Sequence, residues 1–214
     1  MPALNWPQSP MTIVQGFERR YPGSGSIGAV AMWAAWAAET LHYLDDLDQA
    51  QAAYPAPIGA HHSDIVDIAH VRWVTGTAIT SLDLCAAVLG RVYCPGSGGH
   101  ELDLRAFQIE ERLPENRRVA IDRRRSSLPG PMLVWVDDVL ADSRYIDIHG
   151  ARNRFTHSWL SRHLNAGGPS DHTSRTAFVV RESNRPLNAR DLVELSRDLA
   201  TDHVIAFFSE LDRL

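Results

Sequence analysis

Arg152, Asn153 and His157 put a guanidinium, an amide and an imidazole within six consecutive residues. A guanidinium is always charged and grips a phosphate through paired hydrogen bonds. An imidazole takes or gives a proton near neutral pH. An amide can hold either neighbour in place. Together these are the parts needed to cleave a phosphodiester without a metal. An Arg and a His at this spacing also recur by chance, and a solvated or capping face is their ordinary role.

The element that must carry them is an amphipathic helix. Ile148, Ala151, Phe155 and Trp159 fall three or four apart, and Asp142 or Ser143 is the expected N-cap. On such a helix Asn153 and His157 share a face, with His149 one turn earlier on the same face. Arg152 and His157 instead point about 140° apart. Long side chains, a local distortion or a second copy of the helix facing the first would let them converge. The spacing therefore hints at a site completed by a partner.

The rest of the chain sets the frame. Its 214 residues favour one domain, 1–214, with room for a real core. A net charge of −5 argues against a broad nonspecific nucleic-acid binder, but not against a local basic site. Cys85 and Cys94 make no disulfide framework, and Cys85 sits in an apolar helical stretch. No secretory leader pattern and no uninterrupted apolar run of spanning length is apparent, so a cytoplasmic protein without a membrane association is expected.

Pro2, Pro7, Pro10 and Pro22 mark residues 1–24 as an extended lead-in, packing through Trp6, Ile13, Val14 and Phe17. Ser24 or Ser26 then opens a helix to about Gln51, with Trp33 and Trp36 beside its buried stripe as cover for a helix–helix or subunit seam. Tyr54-Pro55-Ala56-Pro57 ends it. A second long helix runs from His61-His62-Ser63-Asp64 to Tyr93, its inner face marked by Ile65, Ile68, Arg72, Thr75, Ile79, Leu82, Ala86 and Leu89. Two long helices joined by a short link predict an antiparallel hairpin within a bundle. Asp45, Asp46 and Asp48, like His61, His62 and Asp64, read as charged caps or solvent faces before they read as metal ligands.

Pro95-Gly96-Ser97-Gly98-Gly99 stops the second helix, and no Lys-Ser or Lys-Thr follows to make a phosphate loop. Residues 101–113 predict a shorter helix with Leu102, Phe107, Ile109 and Leu113 inside. Residues 114–131 read as a basic loop, in which Arg117, Arg118, Arg123, Arg124 and Arg125 face only Asp122. That patch is either a solvated loop or a mobile arm that draws in RNA. Met132 to Leu140 is a short apolar element. Ala177-Phe178-Val179-Val180 is the convincing strand, which predicts at most a minor β-hairpin near residues 176–188. Asn188 with Asp191 resembles a capping box for a last helix over 189–213. The fold class expected is all-α: an antiparallel helical bundle with that hairpin.

Arg-Asn-x-x-x-His on a late helix of an all-α chain resembles the HEPN superfamily of helical bundles. The matching positions are Arg152, Asn153 and His157; the resemblance covers this motif helix and the order of the long helices. It implies a metal-independent endoribonuclease that needs no cofactor and acts as a homodimer, with two motif helices meeting across the interface. The RNA 2′-OH would attack, His157 would act as general acid or base, Arg152 would bind the scissile phosphate, and Asn153 would orient one of them. Such proteins serve as toxins, with a cognate antitoxin, or in defence against phage. The strand near 176–181 and the Pro-rich start are not general features of the family.

Two readings from other classes stand beside this one. The first is a noncatalytic nucleic-acid- or protein-binding helical module that uses Arg117 to Arg125. The second is a metal-dependent hydrolase using some of His61, His62, His149 and His157 with nearby Asp. Of these only His149 and His157 share a helical face, so no metal site is expected.

Overall fold

The computed structural model describes residues 4–22, 27–43, 62–96, 102–110, 112–157, 177–180 and 185–214. It is predominantly helical. In chain order the described helices are α1 (Pro10–Arg20), α2 (Gly28–Tyr43), α3 (His62–Tyr93), α4 (Glu115–Ser126), α5 (Gly130–Ala141), α6 (Ser143–His157) and α7 (Ala189–Arg213). A single 3₁₀ turn, Leu104–Phe107, stands between α3 and α4. Strands β1 (Ala177–Val180) and β2 (Arg185–Asn188) pair antiparallel, with Phe178 opposite Leu187.

α3 and α7 form the centre. α3 packs on α2, α6, α7 and the 3₁₀ turn, and α7 touches α1, α2, α5, α6 and β2. The reason is their composition. Val71, Val74, Ala78, Leu82, Cys85, Ala86 and Leu89 recur three or four apart along α3 and are buried. Leu192, Ser196, Leu199, Ala200, Val204, Phe207, Phe208 and Leu211 form the corresponding buried stripe on α7. Within α3, Ala69–Tyr93 is long and apolar enough by composition to cross a bilayer, although Arg72, Asp83 and Arg91 interrupt its apolar run. Its residues are mostly buried against the neighbouring helices, which accounts for their apolar character.

Several expectations need correction. The extended lead-in over 1–24 is interrupted by α1. Pro10 occupies the first helical turn, where its missing N–H costs nothing, and Ile13, Val14 and Phe17 are buried. α1 then anchors the chain's far end: Arg20 donates to the carbonyls of Leu211 and Asp212, and the Tyr21 hydroxyl donates to that of Leu214. The Glu18 carboxylate accepts from the Ile27 and Gly28 N–H groups at 3.0 and 3.1 Å, so an acid from α1 serves the start of α2. The basic loop over 114–131 is also wrong, since residues 115–126 are α4 and 130–141 are α5. The helix expected over 101–113 shrinks to the 3₁₀ turn, and Ile109 is exposed, not inside. Arg72 is exposed, one position off the buried stripe of α3.

Asp45, Asp46, Asp48, Ser24, Ser26, the Tyr54–Pro57 link, Trp159 and the side chains of His62, Asp64 and Asn188 lie outside the described residues. So does the side chain of His157, whose backbone closes α6.

Candidate functional site

α6 begins where it was expected to. The Asp142 carboxylate accepts from the Arg144 N–H at 2.8 Å, and the Asp142 carbonyl accepts from Ile146, which makes Asp142 the N-cap. Burial would push that carboxyl up, but hydrogen bonds from Arg144 and His203 outweigh it and hold it at about 2. Arg144 also pairs with Asp202, so the start of α6 is pinned to α7. Tyr145, Ile148 and Ala151 are buried, and this fixes which side of α6 turns outward.

Arg152 lines an open groove of about 450 Å³ between α6 and α3. The other wall is one face of α3: Ala69, Arg72, Trp73, Gly76, Thr77 and Thr80. Trp73 is partly exposed, and a Cβ on Gly76 would meet nothing within 4 Å. Two guanidiniums, two hydroxyls and an aromatic ring therefore share one groove. That set suits a phosphate with an attached base: charge-assisted hydrogen bonds for the anion, a flat face for the base.

One turn beyond Thr80 on α3 lies Asp83. It accepts from the Leu104 N–H at 3.2 Å, while Asp103 caps the same 3₁₀ turn through Ala106 N–H at 3.1 Å. Burial pushes the Asp83 carboxyl up; the Leu104 N–H pulls it down, Asp103 pushes it up again, and Arg152 and Arg105 oppose. The result is about 6. Burial, with Asp83 adding, likewise pushes the Tyr145 phenol up.

The 3₁₀ turn brings Arg105 to α6. Arg105 Nε lies 3.0 Å from His149 Nε2, and the Asn153 amide nitrogen lies 3.3 Å from His149 Nδ1. The His149 ring stacks on Tyr145, with centroids 5.4 Å apart and planes 24° apart. The structure thus brings Arg152, Asn153 and His149 together with Asp83 and Arg105.

The basic patch divides. Arg124 and Arg125 donate to the carbonyls of Ala106 and Phe107 at 3.1 and 3.2 Å, and Arg125 also pairs with Asp137. These two side chains hold the 3₁₀ turn. Arg117, Arg118 and Arg123 are exposed on α4, with Arg118 Nε donating to the Leu113 carbonyl at 3.0 Å. Among the described residues no group of three His, Cys, Asp or Glu could hold a metal ion.

Sequence reasoning missed Arg105, Asp83 and Trp73. Asp83 carried a readable signal, a lone acid between Leu82 and Leu84 in an apolar stretch. Arg105 carried none, because its contact with His149 spans 44 positions. No family model, no curated protein and no solved structure matches this chain.

Proposed function

We propose that this chain is a metal-independent endoribonuclease of the HEPN type, built as an antiparallel helical bundle and acting as a homodimer. The observation that carries the reading is the position of Arg152: it lies in an open groove beside Arg72, Trp73, Thr77 and Thr80. RNA lies along the groove, with its scissile phosphate on Arg152. The 2′-oxygen attacks phosphorus in line, and Arg152 stabilises the charge that develops on the phosphoryl oxygens. His157 moves a proton, and Asn153 orients its neighbours. The exposed face of α4, with Arg117, Arg118 and Arg123, draws the polyanion in. A toxin or phage-defence role with a cognate antitoxin follows from the family likeness.

The test is cleavage of mixed RNAs in EDTA by the wild type, Arg152→Ala and His157→Ala. Loss of an anion clamp or a proton-transfer group is worth about 100-fold or more. Absence of cleavage by wild type refutes the proposal, as does equal cleavage by both variants. In the binding-module alternative, favoured only by the exposed arginines of α4, RNA binding persists in His157→Ala and no cleavage is seen.

A further inference from the structure

His149 stands three residues before Arg152 and four before Asn153 on α6. Around a regular helix that is about 60° and about 40° of separation, so all three project from one side.

Two hydrogen-bond contacts of the His149 ring bear on its protonation. A guanidinium only donates, so the Arg105 Nε–H facing Nε2 at 3.0 Å requires a bare lone pair there. The neutral ring then carries its proton on Nδ1. That N–H must donate to Asn153, which it does through the amide oxygen once the carboxamide is turned by half a revolution, since its two ends occupy the same positions. Asn153 therefore selects the tautomer, Tyr145 fixes the ring plane, and Nε2 is a ready proton acceptor covered by a cation.

Arg105 is exposed, and its backbone sits on a turn held from both sides, by Asp103 and Asp83 on one and Arg124 and Arg125 on the other. A hydrogen bond between two charged partners is about twice as strong as one between neutral groups. A phosphate on Arg152 offers Arg105 such a partner in place of the neutral imidazole.

We infer that His149 is a second proton-transfer group of the Arg152 site, its Nε2 covered by Arg105 until an RNA phosphate draws that guanidinium away. This rests on the ribonuclease reading and adds to it a division of labour. The 2′-hydroxyl gives its proton to His149 Nε2 as the O2′–P bond forms. The P–O5′ bond breaks, and the departing 5′-oxygen takes a proton from His157. The products are a 2′,3′-cyclic phosphate and a 5′-hydroxyl, with every proton accounted for and no redox partner needed. Arg152 and an imidazole then serve one phosphate within a single protomer.

The experiment uses the full chain, a defined oligoribonucleotide and EDTA under single-turnover conditions. His149→Ala is expected to cut the rate about 100-fold with KM within about twofold. Imidazole added to the buffer is expected to restore part of the rate in His149→Ala and to leave wild type unchanged. A slow variant that imidazole does not rescue overturns the inference, because a packing role gives that result. His149→Ala at the wild-type rate, with Arg152→Ala inactive, overturns this inference alone. A wild type that cleaves nothing overturns it together with the ribonuclease reading. Should His149→Ala not fold, the imidazole nitrogen shifts of the free wild type decide: a proton on Nδ1 and none on Nε2 is expected, and a proton on Nε2 overturns the inference.

Discussion

Asp83→Asn separates the cost of a buried carboxylate from its use. In the folded chain the Asp83 carboxyl titrates at about 6, against an ordinary value of 3.8, chiefly because burial disfavours the charged form. The folded state therefore holds this proton more tightly than the unfolded chain does. The contribution to stability is complete below the unfolded value and is lost as pH rises through 6. At about 1.4 kcal/mol per pKa unit, full ionisation costs about 3 kcal/mol of folding free energy. Asparagine keeps an oxygen for the Leu104 N–H and never ionises. The variant is expected to match wild type near pH 4 and to exceed it by about 2 to 3 kcal/mol at pH 8. Urea unfolding followed by far-UV circular dichroism at each pH unit from 4 to 8 reads the difference directly. A gap that does not change with pH, or a variant weaker than wild type at pH 8, refutes the reasoning. An acid that destabilises its own helix at neutral pH, in the electrostatic reach of Arg152 and Arg105, is a candidate functional position. The same variant is accordingly expected to lose RNA cleavage while gaining stability.

Arg124→Ala and Arg125→Ala each remove a charged donor from a backbone carbonyl and are expected to cost about 1 to 2 kcal/mol in urea unfolding; no change in either would show that the 3₁₀ turn holds itself. Arg117→Ala, Arg118→Ala and Arg123→Ala are expected to leave stability unchanged within about 0.5 kcal/mol. Each should also lower the slope of log binding against log salt by about one, measured by fluorescence anisotropy with labelled RNA. Asp142→Asn keeps an oxygen for the cap of α6 but removes the charge that pairs with Arg144 and His203. The carboxyl is held low at about 2, so its contribution is present above pH 3.8 and is lost as pH falls toward 2. With screening at this partly exposed site, the variant should lose about 1 to 2 kcal/mol at pH 7, a deficit that narrows on acidification. Gly76→Ala is expected to stabilise α3 by about 0.5 to 1 kcal/mol, because its new methyl meets open space; Gly76→Trp should fill the groove and abolish RNA binding with the fold intact.

The long helices were legible because a burial stripe sustained over many turns is a redundant signal. α7 spans Ala189–Arg213, the residues its periodicity marks, and α3 reaches Tyr93 as its Pro-Gly stop requires. α4 was illegible for the opposite reason. Its twelve residues hold five arginines and bury only Ile121, so no stripe exists to read. Arginine is nonetheless a good helix former, and α4 is held by what its arginines reach rather than by an apolar face. α1 was hidden by its prolines, which read as breaks although one of them opens the helix.

The same division explains which half of the site could be read. Arg152 and Asn153 are local: their spacing and helix are written in a few residues. The groups facing them are not. Asp83 comes from the centre of α3 and Arg105 from a four-residue turn, and neither contact leaves a periodic trace. Position across such separations is created only when the turn is fastened, and the fastening comes from Arg124 and Arg125. Residues whose charge suggested RNA binding thus shape the site at one remove. They fix two carbonyls, the carbonyls fix the turn, and the turn sets Arg105 over His149. Arg125→Ala should therefore displace Arg105 from His149, read as a change in the His149 imidazole nitrogen shifts of the free protein.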